Sequence, residues 1–127
     1  NNMGHTERER GNLDTALKHF QTALVAFQLT RIDEQIRIAQ WQIANTLRLQ
    51  KKFDEALAMQ LKLEKDMLEA NAPDGYVYEE IAEIYTALQK PVDAKPYFAK
   101  AAKILAADTW FAENEKTRLA RIVGMAK

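Results

Sequence analysis

Three stretches of this chain lie on one another when the sequence is slid along itself. They are Gly-Asn-Leu-Asp-Thr-Ala-Leu at 11–17, Lys-Lys-Phe-Asp-Glu-Ala-Leu at 51–57 and Gln-Lys-Pro-Val-Asp-Ala-Lys at 89–95. Each reads as a turn, a helix start and then a small residue, and the alanines at 16, 56 and 94 are spaced by 40 and 38 residues. The register holds on both sides. Four residues further on stand Phe20, Gln60 and Phe98; seven on, Ala23, Leu63 and Ala101; twelve before, Gly4, Ala44 and Ala82. A period of this size marks stacked supersecondary units, none of which can bury its apolar face alone. Small residues at matching places let two helices approach closely, and the aromatic fills the gap above them.

Within each copy the apolar residues recur at spacings of three and four, which predicts helices. Residues 13–29 place Leu13, Ala16, Leu17, Phe20, Ala23, Leu24 and Phe27 on one face. Residues 32–50 do so with Ile32, Ile36, Ala39, Ile43 and Leu47, and residues 53–70 with Phe53, Ala56, Leu57, Leu63, Met67 and Leu68. Asn71-Ala72-Pro73-Asp74-Gly75 breaks the pattern with turn chemistry. A fourth helix carries Tyr78, Ile81, Ala82, Tyr85 and Leu88 inward; a fifth, from about Val92, carries Tyr97, Phe98, Ala101, Ile104 and Leu105. Asp93 is expected to cap the fifth, with Pro96 in its first turn. Asp108 or Thr109 is expected to cap a sixth helix, about 109–126, with Phe111, Leu119, Ile122 and Val123 on its apolar face and Trp110 in the packing. No alternating strand-like run occurs, and the short connections make consecutive helices antiparallel neighbours.

The repeat resembles the tetratricopeptide repeat. That family has a small residue in its first helix, a turn, and then Ala-x3-Phe in its second. Ala16/Phe20 and Ala94/Phe98 match the last element, and Gln60 departs from it. Tyr85 stands where the family has the first-helix aromatic; Leu47 and Glu7 stand there in the other copies, and Glu7 fits poorly. The long offsets and the Ala94-Lys95-Pro96-Tyr97-Phe98 stretch are similar to the longer-helix branch of kinesin light chains and bacterial peptide-sensing regulators. The resemblance implies an all-α, right-handed superhelical solenoid of antiparallel helix pairs with a C-terminal capping helix. The expected organisation is a single domain over 1–127: a partial repeat at 1–30, repeats at 31–72 and 73–107, and a cap at 108–127. Asn1 falls part-way into the first helix of its copy, so the chain is expected to be cut from a longer repeat protein or to begin with disorder.

Composition excludes several chemistries. The 18 basic and 18 acidic residues cancel, so no global field attracts a polyanion or an anionic membrane. There is no cysteine and no serine, and no phosphate-binding loop or zinc-protease motif occurs. The two histidines, His5 and His19, lack convergent partners for a metal. No catalytic residue, metal site or cofactor is therefore expected. No apolar run of about 18 residues could span a bilayer, and no leader opens the chain, so a cytoplasmic location is expected.

The second helix carries the informative pattern. Opposite its core stripe stand Ile38, Trp41, Asn45 and Arg48, at spacings of three, four and three. A helix with one buried side should be polar on the other, so Ile38 and Trp41 need a partner. In the resembled family the first helix of each pair lines a concave groove. By that resemblance this stripe, Tyr76, Glu79, Glu83 and Thr86 of the next repeat, and His5 and Arg8 of the first would face the groove. Trp41 would supply apolar area, Asn45 would hold a peptide backbone unit, and Arg48 would meet a ligand carboxylate. Two plainer accounts stay open: Arg48 and Glu83 pair with each other, or a neighbouring repeat covers Trp41. The cations of the carboxylate clamp found in chaperone-binding members are absent, since Asn1, His5, Gln42, Tyr76 and Glu80 stand at those places, so no clamp is expected.

Charge is divided by segment. Residues 71–89 hold Asp74, Glu79, Glu80 and Glu83 and no Lys or Arg, whereas residues 31–52 carry five basic residues against two acidic ones. This reads as complementarity between adjacent helices. The function expected is a non-catalytic protein- or peptide-binding scaffold using the groove, with no nucleic-acid or membrane partner. The alternatives are a regulatory peptide sensor within a larger multidomain protein, or self-association into a homo-oligomer through the open N-terminal edge.

Overall fold

A computed structural model of the chain describes residues 13–30 and 33–127. Among them are seven helices and no strand: α1 Leu13–Thr30, α2 Asp33–Leu49, α3 Phe53–Glu69, α4 Gly75–Ala87, α5 Pro91–Ala107, α6 Thr109–Asn114 and α7 Lys116–Met125. The chain is all-α, and the first three helices fall within one residue at each end of the spans expected from periodicity. Contacts gather into two compact units, residues 1–59 and 60–127, whose border falls inside α3.

In the first unit α1 packs along α2. Ala16 and Phe20 of α1 and Ala39, Ile43, Ala44 and Leu47 of α2 are buried. A buried side chain the size of Phe20 contributes roughly 1.5–3 kcal/mol by leaving water. Gln50, just past the end of α2, donates from Nε2 to Asp14 Oδ1 at 2.6 Å, which ties the end of α2 to the start of α1 as an antiparallel pair requires. Asp14 lies in the first turn of α1, where its charge also complements the helix dipole.

In the second unit α4 and α5 form a close pair. Asp74 caps α4, its carboxylate accepting from the Tyr76 backbone N–H at 2.8 Å. Gly75 opens the helix against α5: a Cβ there would stand 2.7 Å from Leu105 Cγ, so only glycine fits the approach. Ile81, Ala82 and Ile84 of α4 meet a core that also holds Ala94, Phe98, Ala101 and Leu105 of α5. The Tyr97 hydroxyl donates to Glu64 Oε1 at 3.2 Å and fastens α5 to α3. Both α6 and α7 pack on α5.

Three helices end in the same way. Lys51, Asn71 and Gln89 adopt left-handed backbone angles, with φ of 65°, 54° and 60°. After each, the next N–H reaches back to a carbonyl five residues earlier: Lys52 to Leu47, Ala72 to Met67, Lys90 to Tyr85, at 2.8–2.9 Å. These are Schellman closures, which satisfy the last carbonyls of α2, α3 and α4. Lys51 and Gln89 are 38 residues apart, the offset found between Ala56 and Ala94. Ala16, Ala56 and Ala94 are all buried, as are Ala44 and Ala82, so the alanine positions of the copies share one kind of environment.

Several local expectations are corrected. Asp93 does not cap α5, because Pro91, with its φ already set, starts the helix two residues earlier and Lys90 becomes the cap without a side-chain bond. Pro96 then lies inside the helix, beyond its first turn. The terminal segment is two helices, broken at Glu115, whose φ of −124° and ψ of 45° leave the helical region. Asp108 caps α6 through the Phe111 N–H at 3.0 Å. That phase turns Phe111 inward and Trp110, one residue earlier, out to solvent. Leu68 and Val123 are also exposed, each one position off the stripe that buries Met67 and Ile122. Ile32, Gly4 and Glu7 lie outside the described residues.

Candidate functional site

The stripe on α2 is graded along the helix. Ile38 is 51% exposed, Trp41 and Arg48 are half-buried, and Asn45 is only 7% exposed. Ala39 and Ile43 face the core, so Ile38 and Trp41 emerge on another side, as a 100° step per residue requires. Residues 43–47 are buried without a break, so the helix is enclosed all round towards its C-terminal end. Asn45 belongs to this enclosed part and is not an open amide on the surface. Arg48 extends from the last turn, where a cation complements the helix dipole.

The stripe on α4 has a different setting. Tyr76 and Glu83 are half-buried, and Glu79 is 5% exposed. Glu79 is gripped by Arg118 of α7, whose Nε donates to Oε2 at 2.7 Å while Nη2 donates to Oε1. The Arg118 guanidinium also lies over the rings of Tyr76 and Phe111, 5.5 and 5.1 Å from their centroids. Those two rings meet edge to face at 5.7 Å. The result is a recess of one carboxylate and two aromatic faces around a single cation. One turn along, Arg121 Nη2 donates to Glu83 Oε1 at 3.0 Å and sits 5.9 Å from the centroid of the Phe98 ring. Hydrogen bonding to Glu79 holds the Arg118 pKa above its ordinary value, and burial raises that of Tyr76 against the opposing pull of Arg118.

The sequence reading placed Tyr76, Glu79 and Glu83 on one face of their helix, and the structure does so. It did not foresee that α7 sits on this face. A signal was present: Glu79 and Glu83 are one turn apart, Arg118 and Arg121 are three residues apart, and 71–89 contains no basic residue. Glu83 is engaged by Arg121. His5 and Arg8 lie outside the described residues.

A second aromatic group lies on the other side of α4. Tyr78 and Tyr85 flank Tyr97 of α5 at centroid distances of 6.0 and 5.9 Å, and Lys100 Nζ lies 5.4 and 5.2 Å from the Tyr78 and Tyr97 ring centroids. Burial, then the neighbouring Glu64 carboxylate, push Tyr97 up to about 12.

Among the described residues no group of three or more His, Asp or Glu side chains could hold a metal ion, and no helix is long and apolar enough to cross a membrane. A family model described as tetratricopeptide repeat matches residues 1–65, just over half of the chain. No curated protein and no solved structure matches it. The family match covers the first unit, and the 38-residue recurrence of buried alanines and Schellman closures carries the same pattern into the second. The chain belongs to the tetratricopeptide repeat family.

Proposed function

We propose that this chain is a non-catalytic scaffold that binds a protein or peptide on the groove-side face of α2. Tetratricopeptide repeats generally mediate protein–protein interaction and are a non-enzymatic fold. The observation that carries the reading is the pairing of exposed Ile38 with half-buried Trp41 on a side of α2 away from Ala39 and Ile43. An exposed apolar residue beside a tryptophan has the make-up of a binding hot spot, an anchor that gains by desolvation, and Arg48, two turns beyond Trp41, would supply a charge that orients the partner. Recognition is by shape and anchor, without bond chemistry. A cytoplasmic setting, with no nucleic-acid or membrane partner, belongs to the same proposal.

The test is a random-peptide display library panned against the chain, with recovered peptides then titrated onto Ile38→Ala and Trp41→Ala variants. Ile38 is exposed, so its truncation should leave the melting temperature within the change of about 0.5 kcal/mol usual for surface sites. Peptides that lose tenfold or more in affinity for both variants support the α2 face. Peptides indifferent to both changes overturn it, and a large loss of stability in Trp41→Ala would mark that ring as core.

A further inference from the structure

The face of α4 that bears Tyr76, Glu79 and Glu83 is occupied by the chain's own C-terminal helix, and the manner of occupation identifies a ligand chemistry. We propose that this face is a docking site for a basic helical segment with arginines three residues apart, and that α7 is a resident occupant which a partner segment of that kind displaces. The inference deepens the reading of the chain as a protein-binding scaffold and rests on it, but it concerns residues of α4 and not Ile38 and Trp41 of α2.

Three observations support it. The first is the fit of the cation. Glu79 is buried and meets Arg118 through two parallel hydrogen bonds, with Tyr76 and Phe111 stacked on the guanidinium. A planar, five-donor cation satisfies this geometry and an ammonium does not. The second is charge: Glu79 and Glu83 lie in the segment 71–89, which holds four acidic residues and no basic one, so α4 itself supplies no cation to this face.

The third is how lightly α7 is built. It has ten residues, fewer than an isolated helix needs to persist in water. Its N-cap, Glu115, makes no side-chain cap bond, and Ile122 is its buried residue. Gly124 lies inside it although a Cβ there would meet nothing within 4 Å, so this helix-weakening residue answers no packing need. By contrast the N-terminus of α6 is capped by the Asp108 side chain. A short helix without a side-chain N-cap bond, held by Ile122, two ion pairs and the ring contacts of Arg118 and Arg121, belongs to the less stable end of a structure, where exchange with a competitor is feasible.

The probe is a synthetic peptide of residues 115–127, compared with the same peptide carrying Arg118→Ala and Arg121→Ala. The receiving chain carries Arg118→Glu and Arg121→Glu, which sets like charges against Glu79 and Glu83 and releases α7. The unaltered peptide is expected to bind this chain at least tenfold more tightly than the alanine peptide does, and to weaken as salt is raised. Equal binding of the two peptides, or none, overturns the proposal. Should the charge-reversed chain lose its α4–α5 helicity, the decision passes to the unaltered chain. There an excess of isotope-labelled peptide should strip hydrogen-exchange protection from the α7 amides while the alanine peptide does not; unchanged protection with both overturns the proposal. This test reads only the α7 peptide and the α7 amides, whereas that of the α2 face reads library peptides on Ile38 and Trp41 variants, so the two failures are distinguishable.

Discussion

Arg118 holds Glu79 across 39 residues of sequence, and the two side chains share the contact unequally: the carboxylate is almost wholly buried while about a third of the arginine side chain is open to water. An ion pair of this kind fastens the element that carries the exposed partner. Arg118→Ala should therefore act locally. Hydrogen exchange of the amides in 116–125 should speed up by roughly tenfold, corresponding to about 1–2 kcal/mol for a part-exposed bidentate pair. Amides of α4 and α5 should keep their protection. Arg118→Lys should recover little, because an ammonium cannot make both bonds to the carboxylate. Global destabilisation with uniform loss of protection would show that α7 is not a separable element.

Two glycines should respond in opposite directions to the same change. Gly75→Ala places a methyl group 2.7 and 2.9 Å from Leu105 atoms, and Leu105 is itself buried and cannot swing away. The expected loss is about 1–3 kcal/mol by urea unfolding. Gly124→Ala meets nothing and should stabilise α7 by about 0.5–1 kcal/mol, seen as slower exchange of its amides. If both substitutions destabilise alike, the open space around Gly124 is wrong.

Gln60 stands where the other two copies have Phe20 and Phe98, and all three are buried. Neither the carbonyl oxygen nor the amide nitrogen of its side chain finds a hydrogen-bond partner among the described residues. A buried amide in that state costs roughly 1–3 kcal/mol. Gln60→Met keeps the length of the side chain and removes both polar atoms, so it should raise unfolding stability by about that amount, read from the urea midpoint at constant slope. A loss of stability on this substitution would mean that the amide is satisfied in solution.

Tyr97 is raised from an ordinary value near 10 to about 12, chiefly by burial and then by the Glu64 carboxylate. A raised phenol favours the protonated form in the folded chain, so its contribution is complete below pH 10 and is lost as the pH climbs towards 12. Melting temperature followed by circular dichroism should fall across that window, and tyrosinate absorbance should lag behind that of the unfolded chain. In Tyr97→Phe the fall should be shallower. An unchanged profile in that variant would place the alkaline loss on other groups.

The helices were readable because local rules fix them. Spacings of three and four select helical faces, Asn71 to Gly75 stops one helix, and Asp74 and Asp108 cap the next, all within a few residues of chain. The repeat was readable as well, because close helix packing demands alanine at 16, 56 and 94 wherever the copy occurs. Which face of α4 would be covered was not readable. Glu79 and Arg118 are far apart in sequence, and their meeting depends on the break at Glu115 that redirects the last helix. The same holds for Trp110 and Asn45: periodicity gives each a side of its helix, but what stands on that side is set by packing between elements. Sequence thus determined the helices, their order and the period at which they recur, through short-range sterics and hydrogen bonding. Tertiary structure alone decided that Glu79 is buried under an arginine while Ile38 is left in water, because burial depends on which distant surface arrives to exclude the solvent.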